Sequence, residues 1–261
     1  MQCNLCLSDF ARLEQSHILP KGGYKRLWDD AEPNPNPYMI LGGKAVQTSR
    51  QFTAPLFCSS CEQKISANGE NWFFRNCVQK NGSFPMVDGA LGSSPFVCRD
   101  GLSCYATCIM PKLDSRKLAY LGLSVFFRCS LFTFPNKRHP VCQLGNHSEP
   151  IRKYLHDGET WPDKIRLLVF LIKSPDIRFV TYFPKSQKMK GCEVHDFLMS
   201  GVYYRLMVGE RIPDKYKQMC VMQGCHPVFL SNQVEVQLKR LAVKACVESS
   251  RFTPSVTVGR F

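Results

Sequence analysis

Long apolar runs are missing from this sequence. The longest, LLVFLI at Leu167–Ile172, falls well short of the roughly 20 residues needed to cross a bilayer, so it reads as a buried strand. No membrane partner is expected. A secretory signal is also lacking, because MQCNLCLSDF has no basic stretch followed by an apolar core, and the expected location is the cytoplasm. The fourteen cysteines are therefore expected to be reduced, and they divide into metal ligands and small buried apolar residues. Heptads, internal repeats and low-complexity tracts are absent, which excludes coiled-coil and solenoid architectures.

Acidic residues are scarce as well: 21 Asp and Glu face 34 Lys and Arg, a net charge of +13. The imbalance is uneven. Residues 1–80 carry nine basic against seven acidic side chains, and residues 81–261 carry twenty-five against fourteen. A basic surplus on a folded region suits a polyanionic partner, nucleic acid above all, or else a plainly solvated surface.

What is present suits a folded chain: 261 residues, 44 % of them hydrophobic, can bury a substantial core. Residues 1–80 are bracketed by cysteines and rich in loops, with turn markers at Glu32–Pro37 (EPNPNP) and Leu41–Gly43 (LGG). They read as a small metal-held module. Residues 81–261 read as a mixed helix and sheet domain, so the fold class is α+β. Its first stretch, from Asn81 to about Leu113, is rich in Gly, Ser and Pro and has no clear period. From Asp114 the pattern becomes a core helix with Asp114 or Ser115 as N-cap and Leu118, Leu121, Val125 and Cys129 at helical spacing. A helix around Ile151–Asp157, strands in KIRLLVFLIKS and IRFVTYFPK, and one or two more strands around Gly201 follow. An amphipathic helix capped by Asn232 closes the chain.

Two CxxC pairs, Cys3–Cys6 and Cys58–Cys61, stand about fifty residues apart. Each pair places two thiolates on one tight turn, and Zn–S distances of about 2.3 Å let two such turns share a tetrahedral Zn²⁺. With four protein ligands the ion would be structural. Between the pairs lies SHILPKGG, Ser16–Gly23, a histidine at the entry to a turn-forming stretch.

The order CxxC, about ten residues, His-Ile-x-Pro, a Gly-Gly loop and a second CxxC resembles the zinc-stapled HNH nuclease pattern, a ββα-metal or treble-clef arrangement. More narrowly, SHILPK together with LFCSSCEQKIS resembles a group of bacterial HNH-like proteins of similar length. The resemblance covers Cys3–Ser66. It implies a metal-dependent endonuclease that hydrolyses phosphodiester bonds, associated with genome (phage) defence. His17 would be the general base, and a catalytic Mg²⁺ or Mn²⁺ would be held by the residue before it and the residue after the last CxxC. Here those positions are Ser16 and Glu62. Glu62 is a suitable hard-cation ligand and Ser16 a poor one.

The middle Asn of the pattern would fall at Thr53, with Asn34, Asn36, Gln47 and Gln51 as polar alternatives. Asp29, Asp30 or Glu70 could complete the site. A second reading stays open, in which the zinc fold is catalytically silent and binds nucleic acid or a protein partner. His17 would then be a structural histidine beside the zinc knuckle, and Glu62 a first-turn helix carboxylate.

Other features are weaker. NWFF, Asn71–Phe74, reads as core packing. Cys98, Cys104 and Cys108, and likewise Cys220 and Cys225 with His226, have irregular spacing; the cysteines read as buried or partly exposed thiols rather than ligands, with Cys225 beside His226 the one place to check for a metal. Basic runs at PNKRH, IRKY, PKSQKMK and DKYK are expected in loops, where Lys and Arg can follow a phosphate backbone without reading bases.

Overall fold

A computed structural model describes residues 1–26, 36–48, 50–110, 113–135 and 137–250. A tight turn at Cys3–Cys6 leads to strand β1 (Glu14–His17) and a short helix, α1 (Lys21–Arg26). Strands β2 (Tyr38–Leu41) and β3 (Lys44–Gln47) form a hairpin across Gly42 and Gly43, both at positive φ, which a side chain would strain. Strand β4 (Thr53–Phe57) returns antiparallel to β1 and feeds helix α2 (Ser59–Ile65). A π-helical turn, Ser66–Glu70, joins α2 to α3 (Asn71–Asn76). At that turn Gly69 lies against the backbone of Leu121, where an added Cβ would sit 3.1 Å from the Leu121 nitrogen.

The Gly/Ser/Pro-rich stretch, whose composition shows no period, folds into short pieces: α4 (Pro85–Leu91), β5 (Val97–Arg99) and β6 (Leu102–Ala106). Elements this short carry too few repeats to leave a periodic signature. Helix α5 (Ser115–Leu131) follows, and the Asp114 side chain accepts from Lys117 N–H at 3.0 Å, the expected N-cap. It is buried on nearly every face, from Leu118 to Cys129. Gly122 lets it sit close to the sheet, since a Cβ there would meet the Tyr204 ring at 2.8 Å.

Then come α6 (Ser148–Asp157), β7 (Ile165–Leu171), α7 (Pro175–Arg178), β8 (Thr181–Met189), β9 (Cys192–Met199) and β10 (Val202–Val208). Helix α8 (Asp214–Gln218), β11 (Pro227–Ser231) and α9 (Asn232–Ser250) complete the described chain. The strand expected from Ile177 begins only at Thr181, because Pro175 opens α7. The cap of α9 is Ser231, whose Oγ accepts from Val234 N–H at 3.3 Å, rather than Asn232.

The fold is thus mixed α+β. Its nine-stranded sheet has the order β3-β2-β8-β9-β10-β7-β11-β6-β5, antiparallel except at β2/β8 and β7/β11. Alternation along the central strands sorts residues onto two covered faces. Leu167, Val169, Tyr204 and Leu206 face α5, while Leu168, Phe170, Tyr203 and Met207 belong to the core beneath Leu238 and Ala245 of α9. The first eighty residues share this architecture. They supply the two strands at one sheet edge, and Cys3, Leu5, Ile18 and Phe57 lie in the same core as α5 and β10. No helix among the described residues is long and apolar enough to cross a membrane.

Candidate functional site

The first knuckle docks on the strand that leads to the second. Asn4 donates from its backbone N–H and its Nδ2 to Leu56 O at 3.1 and 2.9 Å, so Cys3–Cys6 lies beside the end of β4. Cys58 and Cys61 sit at the N-terminal end of α2, and Cys58 N–H donates to Cys3 Sγ at 3.3 Å. The four sulfurs all lie within 4.8 Å of one another. Cys6 Sγ and Cys58 Sγ are 3.9 Å apart. The edge of a regular tetrahedron with Zn–S bonds of about 2.3 Å is about 3.8 Å. Cys3, Cys6, Cys58 and Cys61 are therefore close enough to hold a structural metal such as zinc, with no position left open for water. Burial pushes the Cys3 and Cys61 thiols up, while Cys58, against its own burial, is drawn down to about 7 by hydrogen bonds with Ser60 and Cys61, so a bound cation is what would favour the thiolates at Cys3 and Cys61.

Strand β1 ends on Ser16 and His17, and its register with β4 sets His17 opposite Thr53. Side chains alternate along β1. Ser16 points inward, almost fully buried, and its Oγ donates to Glu62 Oε1 in the first turn of α2. The two positions that the HNH-like pattern assigns to metal ligands are thus in direct contact. Glu62 Oε2 accepts from Arg128 Nη2 at 3.3 Å, and Arg128 Nη1 donates to Glu70 Oε1 at 2.9 Å. The Arg128 side chain is 2 % exposed, against 25 % for Glu62 and 18 % for Glu70. Burial works against its charge, but Glu70 and Glu62 outweigh that and hold its pKa above the ordinary value.

Magnesium or manganese does not fit this donor set. Both oxygens of Glu62 and one of Glu70 are already engaged, and Ser16 uses its hydroxyl as a donor to Glu62. A hard divalent ion needs several oxygens at about 2.0–2.1 Å and would have to evict a buried guanidinium. Glu62, expected as a metal ligand, is here the partner of an arginine.

His17 itself is half-buried, and no described residue hydrogen-bonds its imidazole. Burial, with Lys21 and Arg128 nearby, lowers its pKa below the ordinary 6.5, opposed by Glu62 and Glu70. It is therefore neutral at pH 7, the form that accepts a proton. Because the unfolded chain protonates His17 more readily than the folded one, its contribution is whole above about pH 6.5 and is lost as the pH falls toward the folded value. In an NMR titration the His17 ring resonances are expected to shift at a midpoint below 6.5, and His17→Gln should blunt the loss of stability on that acid limb.

Of the other polar candidates, Thr53 is exposed opposite His17, Gln47 ends β3, and Asn36 and Gln51 lie outside the strands. Asn34, Asp29 and Asp30 lie outside the described residues, and Glu70 alone of the three acidic alternatives is seen to reach the site. Phe73 is core, as NWFF suggested. Cys98 and Cys108 are exposed while Cys104, between them, is buried, and among the described residues only the Cys3 cluster gathers three or more metal-ligating groups. Arg128 went unnoticed in the sequence. Its one signal was a single charged residue within a stretch of apolar and small residues, SVFFRCSLF. No family of known proteins, no curated protein and no solved structure matches this chain.

Proposed function

We propose that this chain binds nucleic acid through a basic face beside an HNH-type ββα module, with β1 and β4 as the strands, α2 as the helix and zinc on the four cysteines. The observation that carries this reading is the meeting of basic runs distant in sequence. Lys137 and Arg138 are exposed in the loop before Val141, whose carbonyl accepts from Ser186 Oγ at 2.9 Å. Ser186 lies between Lys185 and Lys188 on the exposed half of β8, and Lys190 follows at the hairpin turn. Arg211 joins them, its N–H donating to Gly191 O at 3.2 Å.

None of these six cations makes an ion pair with a described residue. IRKY and DKYK, by contrast, are helical, and Arg152 is tied to Glu149 and to Leu5 O. The basic face borders the module through Phe52, which precedes Thr53 and whose ring lies 5.1 Å from that of Phe183 on β8. Unpaired cations of this kind neutralise phosphates and release counterions, giving affinity without base readout.

Binding of labelled DNA and RNA is expected to weaken steeply with salt. Replacing Lys185, Lys188 and Lys190 together by alanine should flatten the log Kd against log salt slope by about 0.9 per lost phosphate contact on duplex DNA. An unchanged slope would remove the face from the proposal.

A second reading, phosphodiester hydrolysis, draws on the free, neutral imidazole of His17. As general base it would take a proton from water while that water attacks phosphorus, the P–O bond to the leaving sugar oxygen breaks, and that oxygen takes a proton from solvent. Digestion of plasmid and single-stranded DNA in Mg²⁺ or Mn²⁺ separates the readings: cleavage by the wild type that His17→Ala abolishes supports hydrolysis. Equal cleavage by wild type, His17→Ala and Glu62→Ala points to contamination, and absence of cleavage leaves the binding role.

A further inference from the structure

We propose that Arg128 permanently takes the place of a divalent cation among Ser16, Glu62 and Glu70, so that the protein carries a fixed guanidinium between the two carboxylates and binds no divalent ion there. The inference stands apart from nucleic-acid binding and rests on the surroundings of Arg128 alone. Ser16 from the end of β1, Glu62 from α2 and Glu70 from the π-helical turn bring three oxygen-bearing side chains to one partly enclosed place, the donor type hard cations prefer. What lies between the carboxylates is Arg128, bonded to both through separate nitrogens at 2.9 and 3.3 Å.

A planar guanidinium can serve two carboxylates at once because its N–H groups diverge. Its place is set by folding, since it projects from a helix whose neighbouring Val125, Phe127 and Cys129 are core. Arg128 cannot withdraw into solvent without unseating α5. Its Nε–H has no protein partner, so the match to the pocket is incomplete, as it would be where the acceptors lie on two sides only. Two carboxylates and one guanidinium leave one negative charge, whereas two carboxylates and a divalent ion would leave none. Removing the guanidinium should therefore turn the same residues into a divalent-cation site.

The test uses the full, zinc-loaded chain and Mn²⁺, which prefers oxygen ligands to the thiols of the cysteine cluster. Electron paramagnetic resonance should show no Glu62-dependent Mn²⁺ binding by the wild type, and a single bound Mn²⁺ in Arg128→Ala that is lost again in Arg128→Ala/Glu62→Gln. Millimolar Mn²⁺ should raise the thermal midpoint of Arg128→Ala, or restore its fold if the variant is unfolded, and leave the wild type unmoved. Wild-type Mn²⁺ binding that Glu62→Gln abolishes would overturn the proposal. So would an Arg128→Ala protein, folded or not, that neither binds Mn²⁺ nor is restored by it.

Discussion

Replacing Cys58 with serine is expected to abolish metal binding and lower the thermal midpoint by about 10 °C or more. Cys58 contributes twice to the cluster: its sulfur lies 3.9 Å from Cys6 Sγ, and its N–H donates to Cys3 Sγ. Serine offers a harder, more basic oxygen on a shorter bond, a poor ligand among three thiolates. The knuckles also hold Cys3 and Leu5 in the core against α5 and tie the first residues to β4 through Asn4. Structural zinc supplies folding free energy directly, about 10–16 kcal/mol in isolated zinc fingers. Here a large independent core limits the loss to a fraction of that. At about 2–4 °C per kcal/mol for chains of this size, a loss of a few kcal/mol gives the stated shift. Metal analysis should find about one zinc per wild-type chain and none in the variant. A zinc-free wild type that is fully folded would sink the metal assignment.

Arg128→Met is expected to destabilise the protein by about 3 kcal/mol, near the lower end for loss of one partner from a buried ion pair. Methionine matches the aliphatic part of arginine, so the effect isolates the charge. Glu62 and Glu70 would be left facing each other across a site that excludes much of the solvent, and their partial exposure keeps the effect from being larger. Urea unfolding reads the change. Adding Glu62→Gln and Glu70→Gln should recover most of it, because the repulsion and the stranded charges disappear together. If Arg128→Met alone unfolds within 0.5 kcal/mol of wild type, the two ion pairs are not what holds α5 to the module.

The features legible in the sequence are those whose cause is local. A CxxC pair is a turn with two thiols, and its chemistry does not depend on what packs around it, so Cys3, Cys6, Cys58 and Cys61 could be grouped before any fold was known. The N-cap Asp114 and the strand in LLVFLI are likewise set within a few residues. The basic runs were legible as composition but not as structure. PKSQKMK, expected in a loop, is mostly strand, because its hairpin continues past the covered part of the sheet, where nothing apolar is required of it.

Arg128 is the opposite case. Its partners lie 66 and 58 residues away, and nothing about an arginine in an apolar helix says which carboxylates it will meet. The same holds for Ser16, which looked like a lost metal ligand and is a buried donor to Glu62.

By itself, then, the sequence determined the grouping of the four cysteines, the mixed α+β class and a histidine at the entry to a turn, because short-range geometry and residue chemistry suffice for each. Only the tertiary structure decided what stands beside that histidine. Packing α5 against the π-helical turn at Gly69 carries Arg128 between Glu62 and Glu70, and a buried charge must take whichever partners the packing brings within reach.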